Sequence, residues 1–139
     1  VAIVTLAEAK RQLRIDPANT ADDVEIQAYC DGITAVIEAY KREVIEQRTV
    51  REDVDLVTHW SYHRLGRRRV RLAWSVPVIS LTSVTAVIGT ATWDVRNLRL
   101  DGETGLVRVI GGPPLHGLVE SVYEAGYAVV PEHYKRGAL

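Results

Sequence analysis

Two histidines four positions apart, His59 and His63, come nearest in this chain to the spacing of a metal site. On a helix that spacing would put both imidazoles on one face, as zinc sites require. The segment His59-Trp60-Ser61-Tyr62-His63 reads instead as a loop between strands, and no Glu follows the first His as in zinc proteases. His116 and His133 are remote in sequence, so exposed loop histidines are expected, with no metal. Cys30 lies on the apolar stripe of a predicted helix and reads as a small core residue rather than a nucleophile. Asp53 and Asp55 alternate onto one strand face with no partner His or Lys, which suits sheet-edge charges that resist aggregation. The glycines Gly102, Gly105, Gly111 and Gly112 are not followed by the Lys-Ser or Lys-Thr of a phosphate-cradling loop. No Gly-x-Ser-x-Gly elbow occurs either. These residues assign no reaction, no catalytic residue and no cofactor.

The strongest concentration of charge is Arg64-Leu65-Gly66-Arg67-Arg68-Arg69-Val70-Arg71, with five arginines in eight residues. Such a run can hold phosphates non-specifically, pair with an acidic neighbouring subunit, or stay solvated on a hairpin tip. A protein interface is the first expectation. Trp60, Tyr62 and Trp74 flank the run without the regular spacing of a base-stacking platform, and read as packing residues. Overall charge lends no support to nucleic-acid binding: 17 basic and 18 acidic residues leave a net charge of -1. Any attraction to DNA or to an anionic membrane must therefore be local.

The elements that position these residues change character near residue 47. Thr5-Leu6-Ala7-Glu8 is a capping box, followed by Leu6, Ala9 and Leu13 at helical spacing, with Asp16-Pro17 as the expected stop. Thr20-Ala21-Asp22-Asp23 is expected to cap a second helix, whose early acids suit the positive end of its dipole. Along it Ile26, Tyr29, Cys30, Ile33, Val36, Ile37, Tyr40 and Val44 form a stripe expected to pack the core. Glu38 and Arg42 form an i, i+4 pair on the other side, and Gly32 is a costly residue that either close approach of another backbone or a neutral accident would explain. From Gln47 the period is two. Strands are predicted around Val50–Leu56, Val70–Trp74, Val78–Ile88, Thr92–Leu100, Leu106–Ile110 and Leu118–Tyr127, with Pro77 tolerated at a strand start. Asp101-Gly102-Glu103-Thr104-Gly105 makes a tight turn. Pro131 opens a last short helix that needs something to dock on. No apolar run approaches the ~18 residues that span a bilayer, no leader layout opens the chain, and a lone cysteine permits no intrachain disulfide, so synthesis in a cytosol is expected. The length allows one compact domain, residues 1–139, with a helical part (1–46), a β-rich part (47–130) and a closing helix (131–139).

Read in order, four stretches resemble the head-tail connector, or adaptor, proteins of tailed bacteriophages. They are Thr5-Leu6-Ala7-Glu8-Ala9-Lys10-Arg11-Gln12-Leu13-Arg14-Ile15-Asp16; the acidic cap followed by Ile33 to Tyr40; Pro77-Val78-Ile79-Ser80-Leu81-Thr82-Ser83-Val84; and Val122-Tyr123-Glu124-Ala125-Gly126-Tyr127 with Val130-Pro131. The resemblance is to the β-rich form of the family, whose closing helix usually runs well past the Val-Pro element. It implies a structural virion protein of the neck, not an enzyme. It further implies a ring, twelve-fold, beneath the portal, with a stopper or tail-completion protein below and genome DNA passing through the centre. The expected fold is α+β: two N-terminal helices on a mostly antiparallel sheet of five or six strands, then a short C-terminal helix. Glu38 and Arg42 are the expected subunit contact. Pro131, Tyr134, Lys135 and Arg136 are the portal contact that the resemblance implies, and Arg64, Arg67, Arg68, Arg69 and Arg71 are expected to meet a neighbouring ring or DNA. The alternatives are a free nucleic-acid-binding module built on the arginine hairpin, a metal enzyme using His59 and His63, and the stopper ring, which lacks this opening helix pair.

Overall fold

The structure, a computed structural model, describes residues 2–56 and 68–138. His59, His63, Arg64, Arg67, Trp60 and Tyr62 lie outside the described residues. The α+β class is as expected, with three helices and antiparallel sheets, and the chain divides into two compact units. One comprises Val1–Gln47 with Tyr127–Leu139, the other Arg48–Gly126. The change of character near residue 47 is thus a unit boundary, and the closing segment belongs with the opening helices.

In the helical unit, α1 (Leu6–Gln12) starts at the capping box read from the sequence: Thr5 Oγ1 accepts from the Glu8 amide at 3.3 Å and the Glu8 carboxylate accepts from the Thr5 amide at 2.9 Å. It stops before the expected Asp16-Pro17. Arg14 takes a left-handed conformation (φ 57°), and the Ile15 amide turns back to donate to the Lys10 carbonyl at 2.9 Å. That closure satisfies an end carbonyl and returns Ile15 to the apolar cluster. In α2 (Asp23–Lys41) the N-cap is Asp22, without a side-chain cap bond, rather than Thr20. Asp23 serves another purpose: its carboxylate pairs with the buried Lys10, whose ammonium also donates to the Asn19 carbonyl at 2.7 Å. The short helix α3 (Glu132–Ala138) closes the unit. Ile3, Val4, Ala9, Ile26, Cys30, Ile45 and Tyr134 form its core. The apolar residues of the helices therefore gather with one another in a cluster distinct from that of the sheets.

Among the described residues the second unit carries seven strands in two sheets, where one sheet of five or six is expected. β1 (Arg48–Asp55), β3 (Val78–Ala86), β4 (Thr92–Trp93) and β7 (Leu118–Ala125) form a four-stranded sheet in the order β1-β7-β3-β4. β2 (Arg69–Arg71), β5 (Leu98–Asp101) and β6 (Leu106–Val109) form a three-stranded sheet in the order β2-β6-β5. All the ladders within the two sheets are antiparallel. The strand expected over Thr92–Leu100 is broken by Asp94, whose carboxylate accepts from the Arg96 amide at 3.0 Å and starts a single 3-10 turn. That turn lets the chain leave one sheet at Trp93 and enter the other at Leu98. Val54, Val70, Leu72, Val84, Trp93, Leu98, Val107, Val109, Leu115 and Val119 from both sheets share one buried cluster. Alternation decides the faces: Val119, Ser121, Tyr123 and Ala125 of β7 are wholly buried, while the residues between them are partly exposed.

Candidate functional site

The helix α2 is more apolar than its own unit can use. At ~100° per residue, Ile26, Cys30, Thr34 and Ile37 fall on the strip that meets the core. Tyr29, Ile33, Val36 and Tyr40 fall on the adjacent strip, and they are 65%, 39%, 68% and 85% exposed. The expectation that the whole stripe packs the core is therefore half correct. Beside the exposed strip run Ala28, Gly32, Ala35 and Ala39, all exposed. A Cβ added at Gly32 would meet nothing within 4 Å among the described residues, so no close approach of their backbone explains that glycine. Together these residues form an uncharged helix face about 18 Å long, interrupted by Glu25 alone.

Glu38 and Arg42, the expected subunit contact, shape the end of this helix. Arg42 is the C-cap and takes the left-handed conformation (φ 56°). The chain turns there, so that the amides of Ile45 and Glu46 donate to Glu38 Oε1 at 2.7 and 3.1 Å. The residues of α3 are likewise engaged within the chain. Tyr134 is buried, its hydroxyl donates to the Glu43 carboxylate, and burial followed by that bond raises its pKa. Lys135 Nζ donates to Glu8 Oε1 at 2.8 Å. This bond, ahead of those from Thr5, lowers the Glu8 pKa from 4.5 to about 2. The short helix thus docks on its own unit. Arg136 and His133 are exposed and Pro131 is half-buried, and these remain on its outer side.

Of the arginine run, Arg68, Arg69 and Arg71 are described, and all are exposed. Arg71 Nε donates to the Thr104 carbonyl at 3.0 Å, and its guanidinium lies 5.2 Å from the Trp74 ring centroid. The sheet register brings in two arginines that the sequence reading does not select. Arg69 stands opposite Arg108, and Arg108 opposite Arg99, so the three cross the whole β2-β6-β5 sheet in one row. Their neighbours Val70 and Val107 point into the core, which fixes the arginines on the outer face. The turn after β5 sets this register. Gly105 there has φ 70°, and a Cβ on it would lie 1.9 Å from the Ala73 carbonyl oxygen. Period-two reading of Leu98–Asp101 and Leu106–Val109 could have found Arg99 and Arg108 on one face.

The remaining candidates are structural. Cys30 is buried, and that burial raises its thiol pKa, which disfavours the nucleophilic thiolate. Asp53 and Asp55 are exposed on the edge strand β1. His116 packs edge-on to Trp93 with ring centroids 5.3 Å apart, and His133 lies 4.2 Å from the Tyr134 ring. Among the described residues no group of three or more His, Cys, Asp or Glu side chains could hold a metal ion, and no helix is long and apolar enough to cross a membrane. Tyr123 is buried under Ser75, whose amide donates to its hydroxyl at 3.1 Å, and burial pushes its pKa up to about 12.

The fold defines a class: a capped helical unit closed by the chain's last helix, joined in sequence to a two-sheet unit. Among solved structures this chain is similar to one from the "Neck of empty GTA particle computed with C6 symmetry". The TM-score is 0.71 at 19% identity, covering 98% of this chain and 73% of that one. It is also similar to a chain of the "Virion of native gene transfer agent (GTA) particle", with TM-score 0.65, 18% identity, and 98% and 74% covered. No protein-family model matches the chain, and no curated protein does. At these identities the likeness is one of fold.

Proposed function

We propose that this chain is a structural subunit of the neck of a phage-like particle. Its copies form a ring that joins the portal of the capsid to a stopper or tail component and lets the genome DNA pass. The observation that carries this reading is the fold match over 98% of the chain to a protein of a particle neck. It agrees with the adaptor resemblance read from the opening helices, the Pro77 strand and the Val130-Pro131 element. The reading assigns no reaction and no cofactor.

A ring of more than two copies needs a heterologous contact, in which one face of a copy meets a different face of the next. The uncharged strip of α2 supplies one such face, and its occupant in this reading is a second copy of the chain. Tyr29, Ile33, Val36 and Tyr40 leave on the order of 500 Å² of apolar surface in solvent, more than single scattered side chains explain. That is a substantial part of the ~800 Å² per partner that a specific interface buries. The small residues beside the strip let a neighbouring element approach closely. Glu38 and Arg42 hold the end of the helix that carries the contact. A twelve-fold ring contains the six-fold operation used for the neighbouring neck. The outer side of α3, with Pro131 and Arg136, is the surface offered to the portal.

The test is a reconstruction of the neck of the particle that contains this chain. A ring of this chain against the portal, with α2 at the contact between copies, is the expected result. A neck without the chain overturns the reading. The second reading, a free nucleic-acid-binding module, draws on the arginine row and predicts duplex binding outside any particle.

A further inference from the structure

We propose that the outer face of the β2-β6-β5 sheet binds successive phosphodiester groups of a nucleic-acid backbone, with Arg69, Arg108 and Arg99 as its floor. The inference deepens the DNA-passage part of the neck reading and rests on it for its biological setting, though not for its chemistry.

The register is the first argument. Residues directly opposite on neighbouring strands lie ~5 Å apart, and like charges in that relation destabilise a sheet. Here the unfavourable relation occurs twice in one row, Arg69 to Arg108 and Arg108 to Arg99. Alternation prevents relief by rotation to the other face, because Val70, Val107 and Val109 already fill the core there. The second argument is the absence of relief from acids. The ion pairs among the described residues that carry a defined geometry join Lys10 to Asp23, Arg51 to Glu120, Arg96 to Asp94 and Lys135 to Glu8, and none involves the row. Asp101, on the same face of β5 as Arg99, accepts from the Glu103 amide at 3.1 Å through Oδ1. An anion from outside the chain removes the repulsion, and the guanidinium fork matches phosphate oxygens bidentately.

Spacing and shape select the ligand. Strands repeat at ~4.8 Å, so three rungs span ~10 Å. One strand of a duplex carries a charge every ~3.4 Å of axis, so about three phosphates fall on that span. Arg99 and Arg108, with Leu100, Asp101 and Leu106, also line an open cleft of about 240 Å³. An acidic protein is the less fitting occupant, because Asp and Glu are depleted from protein interfaces, whereas a nucleic-acid backbone carries a charge at every nucleotide. A net charge of -1 makes the row the source of any attraction rather than the chain as a whole. Contacts of this kind are salt-labile and carry no base readout, and they let a protein slide along DNA. That property suits a duplex that must pass and leave.

The experiment is fluorescence anisotropy of a labelled mixed-sequence duplex with the full chain, across a salt series. Three phosphate contacts give a slope of log K against log salt of about -2.7, or a roughly 40-fold loss of affinity from 50 to 200 mM salt. The variant R69Q/R99Q/R108Q should lose that dependence. The variant R11Q/R14Q/K41Q removes the same charge from exposed positions of the helical unit and should bind within twofold of wild type. Three results overturn the proposal: unchanged binding by the first variant, an equal loss in both, or equal arginine-dependent binding to polyglutamate of matched charge. Wild-type chain that binds no duplex at 50 mM salt also overturns it. Circular dichroism checks that each variant is folded. Because the assay uses isolated chain and DNA, its failure and that of the neck reading, which is read in particles, are distinguishable.

Discussion

Replacing Val36 and Tyr40 together by glutamine tests whether the outer strip of α2 is an interface between copies. Glutamine is a good helix former, neutral, and of similar length. Both residues are well exposed, Val36 at 68% and Tyr40 at 85%, so the subunit's own stability should change by less than about 0.5 kcal/mol. The effect on association is much larger. A tyrosine buries on the order of 200 Å² when fully covered. The exposed share of Tyr40 then represents about 4 kcal/mol at ~25 cal/mol per Å², and the exposed share of Val36 about 1 kcal/mol more. These are upper values, since truncation at interface centres seldom costs more than ~4 kcal/mol. A net loss of about 3 kcal/mol weakens association roughly 100-fold. Sedimentation velocity of the full chain up to about 300 µM reads contacts with Kd near 0.1 mM or tighter. Wild type should shift to larger species across that range while V36Q/Y40Q stays monomeric with an unchanged melting curve. Wild type that remains monomeric at the top concentration, or a double variant that associates as tightly as wild type, refutes the reasoning.

Further substitutions test how each unit holds its own surfaces. Glu8→Gln keeps the capping box, because Gln also serves there, and removes the Lys135 pair, which should cost about 0.5–1 kcal/mol near neutral pH; Glu8→Ala should lose about 1 kcal/mol more with the cap. Because the folded Glu8 pKa of about 2 lies below the unfolded 4.5, its contribution is fully present above pH ~4.5 and fades as pH falls through about 2. Thermal unfolding of wild type and E8Q should accordingly converge over that window, and a constant difference would contradict the assignment. Gly105→Ala should destabilise the sheet unit by about 3 kcal/mol or more, since it combines a left-handed φ with a clash against the Ala73 carbonyl. A chemical denaturation midpoint equal to wild type would show that the turn is not built as described. Lys10→Met should cost about 2–3 kcal/mol by leaving the Asn19 carbonyl and the Asp23 carboxylate unpaired. The double variant K10M/D23N should be less destabilised than the sum of the single changes, and strict additivity would argue against the pair.

The helix starts and strand alternation were legible because both are local. The Thr5–Glu8 capping box depends on four consecutive residues, and the β7 pattern on every second one. The early end of α1 was not legible, because it depends on Arg14 adopting a left-handed conformation while Ile15 finds an apolar cluster built partly from residues more than 110 positions later. The same holds for Asp22 as the N-cap: Asp23 is taken by Lys10, a tertiary pair that propensity does not register. The break in the Thr92–Leu100 segment left a trace in Asp94, a good cap residue, but β-rich flanks on both sides masked it. Of the candidate site, the arginine run was visible from composition, whereas its extension to Arg99 and Arg108 required the register between three strands. Tyr134 and Lys135 could be read as surface residues of a terminal helix only while the docking face of that helix was unknown.

The width of the α2 stripe is the sequence feature behind the proposed contact between copies. A helix on one core needs an apolar arc a little over 100° wide. Here the apolar residues from Val36 round to Cys30 already span about 120° at ~100° per residue, and Thr34 widens the buried side further. The small residues at 28, 32, 35 and 39 continue the uncharged surface on the other flank. One core can cover only part of such an arc, and the helical unit's core covers the part that contains Ile26, Cys30, Thr34 and Ile37. The rest is left to water unless something else covers it. The excess width, together with a glycine that no described neighbour approaches, is what supports the proposed contact between copies on the adjacent face. On the charged side Glu38 accepts from the amides of Ile45 and Glu46, and the proposed contact between copies uses the exposed apolar strip of the same helix, whose end Glu38 and Arg42 hold.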